Sequence, residues 1–383
     1  MKYIKEIITS KAFFRNYFLV CSACIGISIA NIYSDYKEVP SSITLEEAEK
    51  KNLLKQNPAK EELLQAVKEN RNIKEEYKQI FNRYIEKFCE EKEHIDKAIL
   101  YQNIKDLQEI KIISKEELEK KQNEFTVMAI SKRKKIIYIR EDLYKKYKKA
   151  LKELMKEDKR SDKENVMKKI GYLQDINIFE NKFFHEITHL SNQIIIEDEK
   201  GSKYEINGRG SRLIQEEHIM EQMTEDIAND IYKDETETCL YLDQNMDLLK
   251  LIIGESYYEN IFYYEGISKL NEILENKNKN ISVVDFIRLS YEQQVAYYEL
   301  IKAQSKNIEE KQIEEKRKRK EQIDLELYKI YIDYMLAEEE LQKYIDFEQE
   351  IKNLKVAEDV QETLYDYLNE YSTKEQKRKQ KTK

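Results

Sequence analysis

One stretch of the chain decides its fold: INIFENKFFHEITHL, from Ile176 to Leu190. Its large apolar side chains recur at helical spacing and form one stripe, made of Ile176, Phe179, Phe183, Ile187 and Leu190. His185 and His189 are four residues apart and lie on a different face of the same predicted helix. Because residues at this spacing are neighbours on a helix surface, both imidazoles can reach one metal ion.

The spacing of His185, Glu186 and His189 is that of the His-Glu-x-x-His motif of zinc peptidases. Zinc bound to the two imidazoles lowers the pKa of its water toward about 7, and Glu186 takes the proton as the water attacks a peptide carbonyl. The chain has only 4 histidines, so chance rarely produces this spacing. The motif therefore predicts a Zn2+-dependent metallopeptidase that cleaves a peptide or protein substrate.

A third ligand must come from elsewhere, because catalytic zinc usually has three protein ligands and one position for water. No glycine and third histidine follow His189 closely, which excludes the metzincin arrangement. A second amphipathic helix is predicted downstream from Ile219, Met223, Ile227 and Ile231. On it Glu221 and Glu225 share one face, so we expect Glu221 as the ligand and Glu225 behind it, orienting the site.

Two alternatives to Glu221 stay open. His218 lies one turn earlier and could be the third ligand, and Glu221 could be an ordinary solvated glutamate in an acidic run. A transition-state oxyanion also needs a hydrogen-bond donor. The candidates are His218, Tyr257, Tyr258, Tyr263 and Tyr264, and packing alone could explain each of them.

The segments His185–Leu190 and Met220–Glu225 together resemble the uncharacterised zincin-like proteins of low-GC Gram-positive bacteria. In that family HE-x-x-HL is followed by a hairpin and a helix bearing N-E-G-x-T-E. Its ligand glutamate falls on Glu221, and its closing Thr-Glu pair falls on Thr224 and Glu225. Met220 stands where asparagine is usual, and Gln222 where glycine is usual. The resemblance covers about residues 60–300 and implies a gluzincin-type metallopeptidase core, without naming a substrate.

Few residues interrupt regular structure in this chain of 383 residues, which has 7 glycines and 2 prolines. This composition favours long helices over turn-rich β structure. Two hairpins are nevertheless predicted, one joining Phe125–Ile130 to Ile136–Ile139 and one joining Ile194–Ile196 to Tyr204–Ile206. We therefore expect a mainly α fold (α+β class), with a small antiparallel β component beside the motif helix and long flanking helices.

Helix starts of the capping-box type are predicted at Thr44 with Glu47 and at Asn72 with Glu75. We predict four regions: an N-terminal segment (1–40), a helical lead-in (41–120), a zincin-like catalytic domain (121–304) and a charged helical region (305–383). The formal net charge is -8 and no concentrated basic face is evident, so no nucleic-acid partner is expected.

In the N-terminal segment, basic residues precede an apolar run from Tyr17 to Ala30. Ser28-Ile29-Ala30 places small residues where a signal peptidase reads them. The run is shorter than the ~20 residues of a spanning helix. A cleaved signal peptide and an uncleaved membrane anchor therefore both stay open. Either one predicts export, as a secreted protein or as a membrane-anchored protein with an extracytoplasmic domain.

The charged C-terminal region contains a heptad-like pattern of apolar residues, namely Ile323, Leu327, Ile330, Tyr334, Ala337, Leu341 and Tyr344. This pattern is typical of a coiled coil, through which 323–344 would pair with a helical partner or with a second copy. An antiparallel helix packed on the domain, or an ordinary amphipathic helix, would show the same spacing. A non-enzymatic alternative follows: a helical surface or interaction protein with a structural or inactive zinc site.

Overall fold

The computed structural model describes residues 41–121, 126–131, 134–155, 163–206, 214–232, 240–305, 309–336, 348–354 and 356–381. It is mainly helical with two small sheets, which confirms the predicted α+β class. The strands are β1 (Ser41–Ile43), β2 (Glu109–Ile113), β3 (Met128–Ser131), β4 (Ile136–Arg140), β5 (Ile194–Glu197) and β6 (Lys203–Ile206).

The first half of the described chain contains seven α-helices, the last of which carries the His-Glu-x-x-His motif. They are α1 (Leu45–Lys50), α2 (Lys60–Glu69), α3 (Glu75–Glu91), α4 (Ala98–Asp106), α5 (Lys115–Glu119), α6 (Glu141–Leu154) and α7 (Lys163–Asn192). The second half continues with α8 (Ile214–Tyr232), α9 (Leu240–Ile253), α10 (Glu255–Asn260), a π-helical turn (Ile261–Glu265), α11 (Ile267–Lys277), α12 (Val283–Ser305), α13 (Glu310–Met335) and α14 (Glu358–Lys381).

Both predicted hairpins are present, as the antiparallel pairs β3–β4 and β5–β6. Each hairpin has a third strand that was not predicted: β2 lies parallel to β4, and β1 lies parallel to β6. The sheets are therefore mixed rather than purely antiparallel. Hairpins are visible in sequence because their strands are adjacent, whereas a parallel partner comes from a distant part of the chain.

The two predicted helix starts have different outcomes. Thr44 caps α1 with the expected reciprocal bonds to Glu47. The prediction for Asn72 was wrong, because α3 begins only at Glu75 and its N-cap is Lys74. The Asn72 carboxamide instead donates a hydrogen bond to the Leu107 carbonyl, 3.0 Å away. A side chain that finds a tertiary acceptor is not free to cap the helix.

The motif helix α7 is held in the core by the apolar stripe that the sequence predicted. Phe179, Phe183, Ile187 and Leu190 are all buried. Phe179 stacks on Tyr147 of α6 with ring centroids 3.9 Å apart, and Phe183 stacks on Tyr77 of α3 at 5.5 Å. This packing fixes the rotation of α7 about its axis and turns the histidine face toward α8.

The described residues of the heptad-like pattern lie on α13, an antiparallel helix packed on the domain. Ile323, Leu327 and Tyr334 of α13 are buried in the main core, and Ile330 packs against it. Ala337, Leu341 and Tyr344 lie outside the described residues. Pairing with a helical partner or a second copy through 323–344 stays a prediction.

The predicted signal peptide or anchor, residues 1–40, also lies outside the described residues. Across the part that is described, none of the helices combines the length and the apolar character needed to cross a membrane. Export stays a prediction, and N-terminal sequencing of native material tests it: a start at Asn31 supports cleavage, whereas an intact N-terminus in membranes supports an anchor.

Candidate metal centre

His185 and His189 meet on the side of α7 that faces α8. Their rings are T-shaped, with centroids 4.7 Å apart, and their Nε2 atoms are 3.1 Å apart. Both residues are buried, at 7% and 5% exposure. Because two lone-pair-bearing nitrogens at this distance repel unless something shared lies between them, the pair needs a proton or a cation.

Glu221 of α8 completes the group. Its Oε1 is 2.8 Å from Nε2 of His185, and its Oε2 is 3.2 Å from Nε2 of His189. The three donor atoms lie within 4.8 Å of one another, and in the described part of the chain this is the one group of three or more that could hold a metal ion. The side chain of Glu221 is 49% exposed, so the centre opens to solvent on the α8 side.

Without a metal, the charges at the centre favour a proton held between the imidazoles and the carboxylates. The Glu221 side chain is half-exposed, but its carboxylate faces the imidazoles, and loss of water there alone would raise its pKa. The imidazoles of His189 and His185 outweigh this effect and lower the pKa of Glu221 well below its ordinary value. Burial would lower the pKa of His185, but the carboxylates of Glu225 and Glu221 outweigh burial and raise that pKa to about 10. A cation can take the place of the proton that this arrangement holds.

Glu225 lies behind His185, on the side of the ring that faces away from Glu221. Its Oε2 is 2.6 Å from Nδ1 of His185, and its Oε1 accepts a hydrogen bond from Lys182 at 2.5 Å. Burial opposes ionisation of Glu225, but Lys182 and His185 outweigh it and lower the pKa to about 2. A permanent carboxylate at Nδ1 orients the ring so that Nε2 points at the centre.

Thr224 orients the second imidazole. Its hydroxyl donates to the Met220 carbonyl at 2.8 Å, so its oxygen is left to accept from Nδ1 of His189, 3.5 Å away. This contact favours the tautomer with hydrogen on Nδ1, which leaves the Nε2 lone pair of His189 directed at Glu221 and His185.

Glu186 is buried beside the triad at 4% exposure, and its Oε2 has no hydrogen-bond partner among the described residues. Burial raises the pKa of Glu186 to about 7, although the neighbouring His185 acts in the opposite direction. A carboxyl group with a pKa near neutrality can both accept and return a proton at working pH.

His218 is not part of the triad, so the structure brings Glu221, and not its rival, to the two histidines. The His218 ring lies against Tyr291 at 5.7 Å and hydrogen-bonds to the backbone of Ser290. Burial lowers the pKa of His218 to about 4. The role of His218 as a transition-state donor stays a prediction.

The four candidate tyrosines have different surroundings. Tyr258 donates to Asp226 at 2.8 Å, and the hydroxyl of Tyr264 accepts from the backbone N–H of Asp96 at 2.8 Å. Tyr263 is buried, whereas Tyr257 is 56% exposed. Tyr258 and Tyr264 are thus already engaged in structural hydrogen bonds.

Two residues that shape the centre escaped the sequence analysis. Lys182 was visible one turn before His185, but a lysine in a chain this rich in charge gives no signal. Asn103 of α4 donates to the carbonyls of Leu190 and Gln193, at 2.7 and 2.9 Å, and so holds the end of the motif helix. Nothing in the sequence connects α4 with that end, because the residues are far apart in the chain.

No protein family, curated protein or solved structure matches this chain in comparisons with known proteins. The resemblance to zincin-like proteins therefore rests on the residues of the two motifs and stays a prediction.

Proposed function

We propose that the protein is a gluzincin-type zinc metallopeptidase, in which His185, His189 and Glu221 hold Zn2+ and Glu186 is the general base. The observation that carries the proposal is the convergence of three ligand-type side chains from two helices, with a buried unpartnered carboxylate oxygen beside them. Two imidazoles and one carboxylate are a ligand set found in catalytic zinc sites.

The residues fit zinc in chemistry and in access. Structural zinc sites are closed by four protein ligands, whereas catalytic sites keep one position open. Three donors converge here, and the half-exposed Glu221 leaves the centre open on one side. This openness favours the enzyme over an interaction protein with a structural zinc site.

When bound, zinc supplies Lewis-acid chemistry, polarising a peptide carbonyl and making water more acidic. Glu186 accepts the proton of the attacking water, which its pKa of about 7 allows, and then passes that proton to the leaving amine. Glu225 and Thr224 orient the imidazoles of His185 and His189 through the Nδ1 atom of each ring. The substrate is a peptide or protein, and cell-envelope and host proteins are both candidates for an exported enzyme.

Cleavage of a peptide library by the zinc-loaded protein tests this proposal. The control is Glu186→Gln, which keeps the shape of the side chain and removes the base. We expect cleavage by the wild type and a loss of at least about a hundredfold in the variant, the usual contribution of general-base catalysis. Identical cleavage profiles for the two proteins would rule out peptidase activity at this site.

A further inference from the structure

Two buried side chains on α8 have polar atoms without partners in the described part of the chain. Gln222 is 2% exposed, and neither its Oε1 nor its Nε2 makes a hydrogen bond. His218 is 7% exposed, and its Nε2 is likewise unpaired. Leaving a buried polar group unsatisfied costs roughly 1–3 kcal/mol, so native proteins keep few of them without a reason.

Both side chains lie on the turn of α8 that carries Glu221. His218 and Gln222 are four residues apart and therefore neighbours on one face of α8. Glu221 lies next to Gln222 in sequence and one turn from His218, close enough for its charge to act on the His218 ring. Because Glu221 is the half-exposed member of the triad, the opening of the centre lies on this helix.

His218 and Gln222 differ in the hydrogen bonds that they can still make. The His218 ring bonds to the backbone of Ser290, and since Nε2 is unpaired, Nδ1 makes that bond and carries the hydrogen. Nε2 of the neutral ring is then an acceptor. The Gln222 carboxamide offers both a donor and an acceptor. Together they offer uncharged donors and acceptors within one turn of Glu221 on α8.

We propose that His218 and Gln222 bind one backbone peptide group of the substrate, with Nε2 of His218 accepting its N–H and the Gln222 carboxamide donating to its C=O. A peptide group presents one donor and one acceptor without formal charge, which is the complement of this pair. The inference rests on the proposed peptidase function and adds a substrate-binding element to it. Binding to main chain would hold an extended substrate beside the centre without selecting its side chains.

Binding of unfolded, fluorescein-labelled casein to the zinc-loaded Glu186→Gln protein, followed by fluorescence anisotropy, tests the inference without needing turnover. Gln222→Met in that background keeps the length of the side chain and removes its hydrogen bonds. We expect Kd to rise about tenfold, the loss of one or two hydrogen bonds. The melting temperature should stay equal or rise, because no internal partner is lost.

Gln293→Met is the matched control. Gln293 is also fully buried, but its carboxamide donates to Asp324 at 2.9 Å and accepts from Asn245 at 2.7 Å. It should therefore lower the melting temperature and leave Kd within about twofold.

Three outcomes overturn the inference. An unchanged Kd in Gln222→Met would mean that the carboxamide holds only a buried water. A lowered melting temperature in Gln222→Met would mean a structural role, and no casein binding would mean no peptide site. Failure of the proposed function would give a different result. Casein binding would still weaken in Gln222→Met, but the wild-type protein would not cleave the casein.

Discussion

Glu186 and Glu221 are both glutamates at the candidate metal centre, yet their surroundings hold them in different protonation states. The imidazoles of His189 and His185 keep Glu221 ionised, although the carboxylate loses water where it faces them. For Glu186 burial is the largest effect, and it raises the pKa of this carboxyl group to about 7. Environments that separate the pKa values of similar groups suit them to different tasks, which in the proposed function are those of ligand and base.

The raised pKa of Glu186 makes the stability of the metal-free protein depend on pH. The folded-state pKa of about 7 exceeds the ordinary 4.5, so the folded protein holds this proton more tightly than the unfolded chain does. The resulting contribution to the free energy of unfolding is complete below pH 4.5 and is lost as pH rises through 7. Glu186→Gln lacks this ionisation. Between these limits the unfolding free energy of the wild type should fall relative to the variant, by roughly 2–4 kcal/mol. Urea titrations across the pH range measure the difference, and a constant difference would contradict the assignment.

Zinc affinity should also depend on pH. Since the pKa of His185 is raised to about 10, its metal-free imidazole carries a proton at neutral pH that zinc must displace. The affinity should increase about tenfold per pH unit near neutrality, measured by competition with a chelator of known pH dependence. Glu225→Gln removes the first carboxylate that raises this pKa, so the dependence should flatten in that variant. A pH-independent affinity in the wild type would refute the prediction.

At the level of elements, the sequence predicted the helices and hairpins that depend on interactions between residues close in the chain. The helical stripe from Ile176 to Leu190, the two hairpins and the Thr44 cap all depend on residues close in sequence, and all are present. The face that Glu221 and Glu225 share was also visible in the spacing. The choice between Glu221 and His218 was not, because it depends on how α8 is rotated against α7.

Asn103 shows what tertiary structure adds to an element. Besides holding the carbonyls of Leu190 and Gln193, it accepts a hydrogen bond from Lys135 at 2.7 Å. Asn103→Leu leaves these buried groups unpaired and should lower the unfolding free energy by about 2–4 kcal/mol. Gln102→Leu is the control, since Gln102 is half-buried and its hydrogen bond, to Asp106, stays within α4. Urea denaturation compares the two variants, and equal losses would contradict the role of Asn103.

At the scale of the molecule, the charged C-terminal region is joined to the domain through its core. The carboxamide of Asn245 on α9 donates to Gln293 on α12, which donates to Asp324 on α13. All three side chains are fully buried. The sequence indicated an amphipathic helix here but could not say what it packs against, because the same spacing serves a coiled coil and a packed helix.

A chain ending at Ser305 should therefore not fold cooperatively. It loses fully buried apolar side chains of α13, among them Leu327, Tyr328, Tyr331 and Ile332. Each contributes about 1.5–3 kcal/mol, so together they rival the typical total stability of about 5–15 kcal/mol. Removing only the polar tail Lys374–Lys383 is the control and should have little effect. A cooperative thermal transition in the shorter chain, followed by circular dichroism, would instead show that 305–383 is a separate unit.

The proposed function depends on two imidazoles and one carboxylate holding one zinc ion. X-ray absorption at the zinc edge of protein loaded with one zinc per chain tests it most directly. We expect two imidazole nitrogens from His185 and His189, and oxygen ligands that include Glu221, at about 2.0–2.2 Å. A sulfur ligand, fewer than two imidazoles, or an unchanged spectrum in Glu221→Ala would contradict it.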